Sequence, residues 1–379
     1  WDPRDLVGHY PRGGQALRGP FGRFAPADAV AWFDAHGLQL VEEADGRLFP
    51  RSNRSSSVVD TLRAAAVTAG VRCLEGQALQ AAEPLPGGGF RLLLRGGASL
   101  QADRLVLATG SHPSGLRIAG ALGHGLVPPV PSLFTLALGS HPLTALAGVV
   151  VDPVVLELEG PAEAMARPVG VSSPPAAASA SPRRRQRHRQ RGPLLITHWG
   201  FSGPAILRLT AFAARDLRAW EYRASLRIDW TGGSLSPADL EERFASARRE
   251  LARRQLGAAR PWPSLGRRLW NHLLEARGID PGLRWADLGR GDQRRLQEAL
   301  RQDSYAIRGR GPFGEEFVTA GGVPLGEVNL ATMESRRRPG LFLVGELLDV
   351  DGVTGGFNFQ HCWSSGWLAG QQLAAAVLT

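Results

Sequence analysis

The chain has 379 residues, 43% of them hydrophobic, enough for two or three domains with a sizeable core. No apolar run approaches the ~18 residues needed to span a bilayer, and no basic stretch followed by an apolar one opens the chain, so it reads as a cytoplasmic protein without a membrane partner. Two cysteines, Cys73 and Cys362, exclude a disulfide framework and a thiolate metal site.

The net charge of +9 suggests nucleic acid at first sight. Six arginines, however, fall between Arg183 and Arg191, and nine minus six leaves about +3 on the other 370 residues. All 44 basic residues are arginine, a compositional bias rather than a chemical signal. A solvated insertion is the favoured reading of the arginine run, and a nucleic-acid arm is its rival.

In chain order, the first third alternates helical and strand patterns. Helices are predicted over Ala27–His36, after Pro26, and over Val58–Ala69, between a serine cluster and Gly70. Short strands are predicted at Val71–Leu74, Ala78–Glu83 and Phe90–Leu94, the last two joined by a Pro-Gly-Gly-Gly turn. Leu105-Val106-Leu107-Ala108-Thr109-Gly110 reads as a buried parallel strand with a loop at its C-terminal edge. Gly160 to Gly192, rich in Pro, Ala, Ser and Arg, reads as a disordered surface loop. It is flanked by strands at Val149–Leu158 and Pro193–Thr197, and Leu226–Trp230 adds another. From Pro237 to Leu300 the period turns helical, with Leu240, Phe244, Leu251 and Leu256 in one helix and Leu265, Leu269 and Leu273 in the next. Phe317–Val323 and Leu341–Gly345 return to strand, and Gln360–Val377 reads as a closing helix.

Gly309-Arg310-Gly311-Pro312-Phe313-Gly314 has the letters of a dinucleotide fingerprint but not the strand-turn-helix context, so it is not read as a phosphate loop. The tail from Gly345 to Gln360 is more informative. A buried strand delivers Glu346 to its C-terminal end, where open α/β sheets bind ligands, and a carboxylate there can accept hydrogen bonds from sugar-like hydroxyls. Gly355-Gly356 permits close backbone approach to a flat ligand, and a helix opening near Gln360 would aim free N–H groups at it. Reduced flavin, negative on its pyrimidine edge, would suit such a place. Glycine turns carrying exposed acids remain the competing interpretation.

Four ordered motifs precede or join this tail: Leu107–Gly110, Leu195-Ile196-Thr197-His198-Trp199-Gly200-Phe201-Ser202-Gly203-Pro204, Thr319-Ala320-Gly321-Gly322-Val323 and Thr332-Met333-Glu334-Ser335. With the tail they resemble the BaiN/RdsA-type, YhiN-like family of NAD(P)/FAD-dependent oxidoreductases, from about Ala25 to the C-terminus apart from the arginine-rich insertion. The resemblance implies an α/β fold: an FAD/NAD(P)-binding Rossmann-like domain interrupted by a β-rich and a small helical subdomain. The expected boundaries are residues 1–131 and 326–379 for the FAD domain, 132–235 and 304–325 for the β-rich part (160–192 a loop), and 236–303 for the helical part. It further implies Glu346 near a ribityl chain and Gly355–Gln360 around the isoalloxazine ring. The expected cofactor set is therefore Thr109, Gly110, Glu346, Asp349, Gly355, Gly356, Phe357, Asn358 and Gln360. Similar proteins open with a glycine-rich strand-turn-helix not found here, so a βαβ unit is expected upstream of Trp1.

His198, read as lying where a strand meets a helix start, is a candidate proton donor with Ser202 beside the substrate; a histidine that merely shapes the loop is the alternative. Cys362 reads as packing rather than a redox thiol, and Trp199 and Trp363 as core rather than pocket wall. The function expected is FAD-dependent transfer of hydride or electrons between NAD(P)H and a small organic substrate. The alternatives are a flavin-dependent RNA-modifying or RNA-binding protein and a non-catalytic remnant.

Overall fold

The computed structural model describes residues 2–43, 46–161, 187–312 and 318–377. The chain divides into two compact units: residues 1–130 with 318–379, and residues 131–317.

The first unit is built on a parallel strand pair. Leu105–Leu107 and Leu341–Leu343 run side by side, and the sheet continues antiparallel through Glu334–Ser335 to Val328–Asn329. Alternation in the first strand buries Leu105 and Leu107 and exposes Val106, whereas Leu341, Phe342 and Leu343 are all buried. Such a run is what a covered parallel strand requires. A three-stranded antiparallel meander, Leu79–Pro84, Phe90–Leu94 and Ser99–Ala102, accounts for the predicted hairpin. Val71–Leu74, by contrast, forms no strand. Val71, Arg72, Cys73 and Leu74 are all exposed, so no neighbouring strand covers them. The helix before them, Ser55–Thr68, starts three residues earlier than predicted and buries no side chain fully.

In the second unit a seven-stranded antiparallel sheet runs in the order Asp303–Ile307, Ala224–Asp229, Val150–Glu159, Arg187–Ile196, Gly200–Ser202, Leu136–Ala137, Gly309–Arg310. Residues 187–192, predicted as loop, are strand. Their arginines meet acids across the sheet, Arg187 on Glu159 at 2.8 Å and Arg189 on Glu157 at 3.7 Å, while His188 meets Asp216 at 2.7 Å. Opposite charges on directly paired strands stabilise a sequence that reads as solvated by itself. The rest of the predicted loop, residues 162–186, lies outside the described residues. Gly309–Arg310 is an edge strand of this sheet, antiparallel to Leu136–Ala137, as a rejected phosphate loop should be.

The Pro204–Phe212 helix packs on this sheet, and three later helices extend its apolar cluster. Pro237–Glu250 opens with a capping box in which Ser236 Oγ accepts from Asp239 N–H at 3.1 Å and the Asp239 carboxylate accepts from Ser236 N–H at 2.8 Å. It buries Leu240, Phe244 and Ala247, on one face at helical spacing, and stops before Leu251 and Leu256, which were predicted inside it. Arg267–Glu275 and Arg290–Gln302 bury Leu269, Trp270, Leu273, Leu296 and Leu300. These side chains join Leu156, Leu226 and Ile228 of the sheet in one apolar cluster. At its edge, buried Asp303 accepts from Trp230 Nε1 at 3.0 Å, from Arg277 at 2.6 Å and from the Tyr305 hydroxyl. Among the described residues no helix is long and apolar enough to cross a membrane.

Candidate functional site

The C-terminal ends of the two parallel strands place Thr109-Gly110 beside Gly345-Glu346. A Cβ built on Gly110 would lie 3.7 Å from Glu346 Oε2, and Val344 N–H donates to Leu107 O at 3.2 Å. Gly110 has φ +60° and Gly345 φ +65°, values that favour glycine where both strands break into loops. Behind them, the Pro113–Ala121 helix passes so close to Thr109 that Gly115 has no room for a side chain.

Thr319–Val323 forms the next wall. Gly322, at φ +136°, lets the backbone approach Leu347 O, where a Cβ would stand only 2.4 Å away. Val323 N–H then donates to Leu347 O and Asp349 N–H to Val323 O, each at 2.9 Å. Thr319 N–H donates to Glu346 Oε1 at 3.0 Å. Burial raises the Glu346 carboxyl above its ordinary range; the Thr319 bond opposes that rise and the charge of Asp351 adds to it. The motif that looked like a strand in sequence thus holds the acidic turn in place.

The closing helix spans Gly355–Val377, five residues longer at its start than predicted. The double glycine is its first turn rather than a preceding loop, and no atom comes within 4 Å of a Cβ built on either Gly355 or Gly356. Free N–H groups and the positive end of the helix dipole therefore open at exposed Gly355-Gly356. Gln360 is buried one turn in, donating to Phe24 O at 3.3 Å and Ser364 Oγ at 3.0 Å, and does not stand at the helix opening. Asn358 closes the loop before the helix: its carbonyl accepts from Gly352 N–H at 2.9 Å and its amide donates to Gly352 O and Thr354 O.

Sequence reasoning missed a wall contributed by the N-terminal segment. His9 stacks on Phe357 with ring centroids 4.4 Å apart, and His9 O accepts from Val353 N–H at 2.9 Å. The Tyr10 hydroxyl donates to Phe357 O at 2.6 Å, while Arg12 bridges Asp351 through backbone and side chain. A cavity of about 460 Å³ lies along this segment, lined by Val7, Gly8, Tyr10, Pro11, Gly13 and Gln15 among others. A larger one, about 690 Å³ beside Asp239, Arg243 and Arg260, contains none of the motif residues.

Buried His361 and half-buried Cys362 lie against Gly345 further along the helix. His361 Nε2 donates to Gly345 O at 3.1 Å, and its Nδ1 has no partner among the described residues. Burial pushes this imidazole down to about 4, so it is neutral, with Nδ1 a bare acceptor. Burial pushes the Cys362 thiol up to about 11, which removes it as a redox nucleophile at neutral pH.

Ser335, His124 and Glu327 have the spacing of a nucleophilic triad. His124 Nδ1 lies 2.7 Å from Glu327 Oε2 and Nε2 lies 2.8 Å from Ser335 Oγ. The Ser335 oxygen, however, accepts from the N–H groups of Arg337 and Arg338 at 3.0 and 2.9 Å, so its lone pairs are occupied, and the residue is buried. This network ties the Thr332–Ser335 motif to the core and is not an acyl-transfer site. Among the described residues, no group of three or more His, Cys, Asp or Glu could hold a metal ion.

Of the sequence-predicted residues, Thr109, Gly110, Glu346, Asp349 and Gly355–Gln360 all belong to the first unit. His198 and Ser202 belong to the second. His198 is exposed at the tip of the hairpin between Arg187–Ile196 and Gly200–Ser202, not at a strand-to-helix junction. That junction is Ser202-Gly203-Pro204, where Gly203 at φ +96° leads into the Pro204–Phe212 helix. Trp199, half-buried, donates to Thr135 Oγ1 at 3.1 Å, and Trp363 meets Phe33 edge-on.

A parallel strand pair whose C-terminal edge carries an acidic turn is consistent with a Rossmann-type domain. The chain belongs to the family described as HI0933-like protein Rossmann domain, which it matches over residues 1–372. It is 29% identical over 368 residues to a 3-dehydro-bile acid delta(4,6)-reductase of Clostridium scindens, covering 93% of this chain and 81% of the relative. It is also 29% identical over 373 residues to a ribosomal RNA dihydrouridine synthase of Escherichia coli, covering 93% and 80%. A protein of the same name from Haemophilus influenzae is 28% identical over 280 residues, 70% of this chain and 59% of the relative.

Proposed function

We propose that this protein is an FAD-dependent oxidoreductase that uses NAD(P)H to reduce an unsaturated ring in a small organic substrate. The observation that carries the reading is Glu346 beside Gly110 at the C-terminal edge of the parallel strand pair, in the unit that also holds the open Gly355-Gly356 helix start. These residues fit the cofactor. A carboxylate with one oxygen held by Thr319 N–H keeps the other for a sugar-like hydroxyl, the glycine pair leaves room for a planar ring, and the helix start stabilises negative charge beside it. His361 Nδ1 offers an acceptor in the same neighbourhood. Bound FAD would supply the hydride chemistry, while the protein positions, shields and sets charge. The reductase name of one relative and the synthase name of two others both denote reduction of an unsaturated ring, which supports this substrate class. His198 and Ser202 are proposed as substrate-side residues, His198 giving a proton.

Titration of the purified protein with FAD, followed by quenching of flavin fluorescence, tests the cofactor. Saturable binding and a bound spectrum near ~450 nm are expected; well-folded protein that leaves the fluorescence unchanged would refute it. Exchange of His198 for Ala should slow substrate reduction by about 10²-fold or more without altering reduction of the flavin by NAD(P)H.

A second reading, reduction of a base within RNA, is favoured by the relatives named as ribosomal RNA dihydrouridine synthases. The pairing of Arg187 and Arg189 with Glu157 and Glu159 weakens it, because those charges are already compensated. RNA binding whose salt dependence drops on replacing Arg187, Arg189 and Arg191 by Gln would support it.

A further inference from the structure

Asp351 is a fully buried carboxylate in the loop that leads into the closing helix. Arg12 engages both of its oxygens, through Nε and Nη2, with the guanidinium side chain only 11% exposed. The two residues also form an isolated antiparallel backbone bridge. Taking two charges out of water is costly, and an apolar pair of similar shape would fasten the loop about as well. Fastening alone therefore does not account for the choice of residues.

Charge balance does. Asp351 lies close enough to Glu346 for its charge to raise that carboxyl further. Three carboxylates, Glu346, Asp349 and Asp351, thus stand in the short segment between the end of the Leu341–Leu343 strand and the helix opening. Flavin that takes up two electrons and one proton carries one net negative charge, and ionised acids in this segment oppose that charge unless a cation neutralises one of them. Arg12 is the cation placed to do so. Resting on the FAD reading above, we infer that Arg12 is a positioning residue that sets the charge of the flavin cradle: by neutralising Asp351 it lets the site favour reduced over oxidised flavin.

The test is the midpoint potential of FAD bound to the full chain, measured by dye equilibration, with the dissociation constant of oxidised FAD measured in parallel. Arg12→Gln should weaken reduced FAD about tenfold more than oxidised FAD, moving the potential negative, as one uncompensated charge in a partly buried site dictates. Arg12→Lys should lie between Arg12→Gln and the native protein. The double variant Arg12→Gln/Asp351→Asn should return to within about twofold of the native ratio. Asp351→Asn alone, which keeps one acceptor oxygen for Arg12, should move the potential in the opposite direction, and it decides the matter even if Arg12→Gln fails to fold. Equal loss of both affinities with an unchanged potential, or a shift of the same sign in Asp351→Asn and Arg12→Gln, overturns the inference and assigns the pair to loop fastening. Failure of the native protein to bind FAD at all overturns instead the reading on which it rests.

Discussion

His361 offers a quantitative check on the packing of the closing helix against Gly345. Fully buried, it takes a proton only near pH 4 in the folded protein, against an ordinary value of 6.5, because the imidazolium cannot be solvated there; the Gly345 carbonyl opposes this only in part. Between those two pH values the unfolded chain binds more protons at this position than the folded one. Stability is therefore fully present above about pH 6.5 and falls as the pH drops toward 4. At about 1.4 kcal/mol per pH unit, the loss attributable to His361 reaches roughly 3 kcal/mol at the bottom of this window. Guanidinium unfolding at pH 7.5 and pH 4.5, in the native protein and in His361→Gln, isolates it. The other eight histidines are common to both proteins and cancel in the comparison. The native protein should lose roughly 2–3 kcal/mol more than the variant between the two pH values. Equal pH dependence, or an NMR titration placing His361 near 6.5, would refute the reasoning.

Two further outcomes follow from local geometry. Gly203→Ala should destabilise the second unit by roughly 2–4 kcal/mol, since the residue sits at φ +96° and a Cβ would lie 2.9 Å from Leu195 N. Thermal melts should show the drop, while Gly291→Ala, in open space on an exposed helix, leaves the melting temperature unchanged or slightly higher. Thiol labelling at pH 8 should modify exposed Cys73 quickly and spare Cys362, whose thiol is held protonated by burial until the protein is unfolded. Rapid reaction of both would contradict the packing of Cys362 against Gly345.

How much could be read from sequence depended on whether a residue's partner was local. The parallel strands Leu105–Leu107 and Leu341–Leu343 were legible because apolar runs ending in glycine carry their own signal. Glu346 was legible for the same reason, as the acid at such a strand's end. Residues 187–192 were not, since a run of arginines becomes a strand only when Glu157, Glu159 and Asp216 are known to lie opposite. Gly355-Gly356 looked like a turn because glycine is a poor helix former in isolation; here it takes the first turn, where the cost is small and the surrounding space is open. The wall formed by His9, Tyr10 and Arg12 was invisible, as Arg12 and Asp351 are 339 residues apart and nothing near either one announces the other.

The most direct measurement is a crystal structure of the protein soaked or grown with FAD. The account predicts the isoalloxazine edge against the first turn of the Gly355–Val377 helix, with a Glu346 oxygen accepting from a hydroxyl of the cofactor's chain. Density for the ring elsewhere on the molecule, or a fully occupied cofactor with Glu346 and Gly356 untouched, would contradict it.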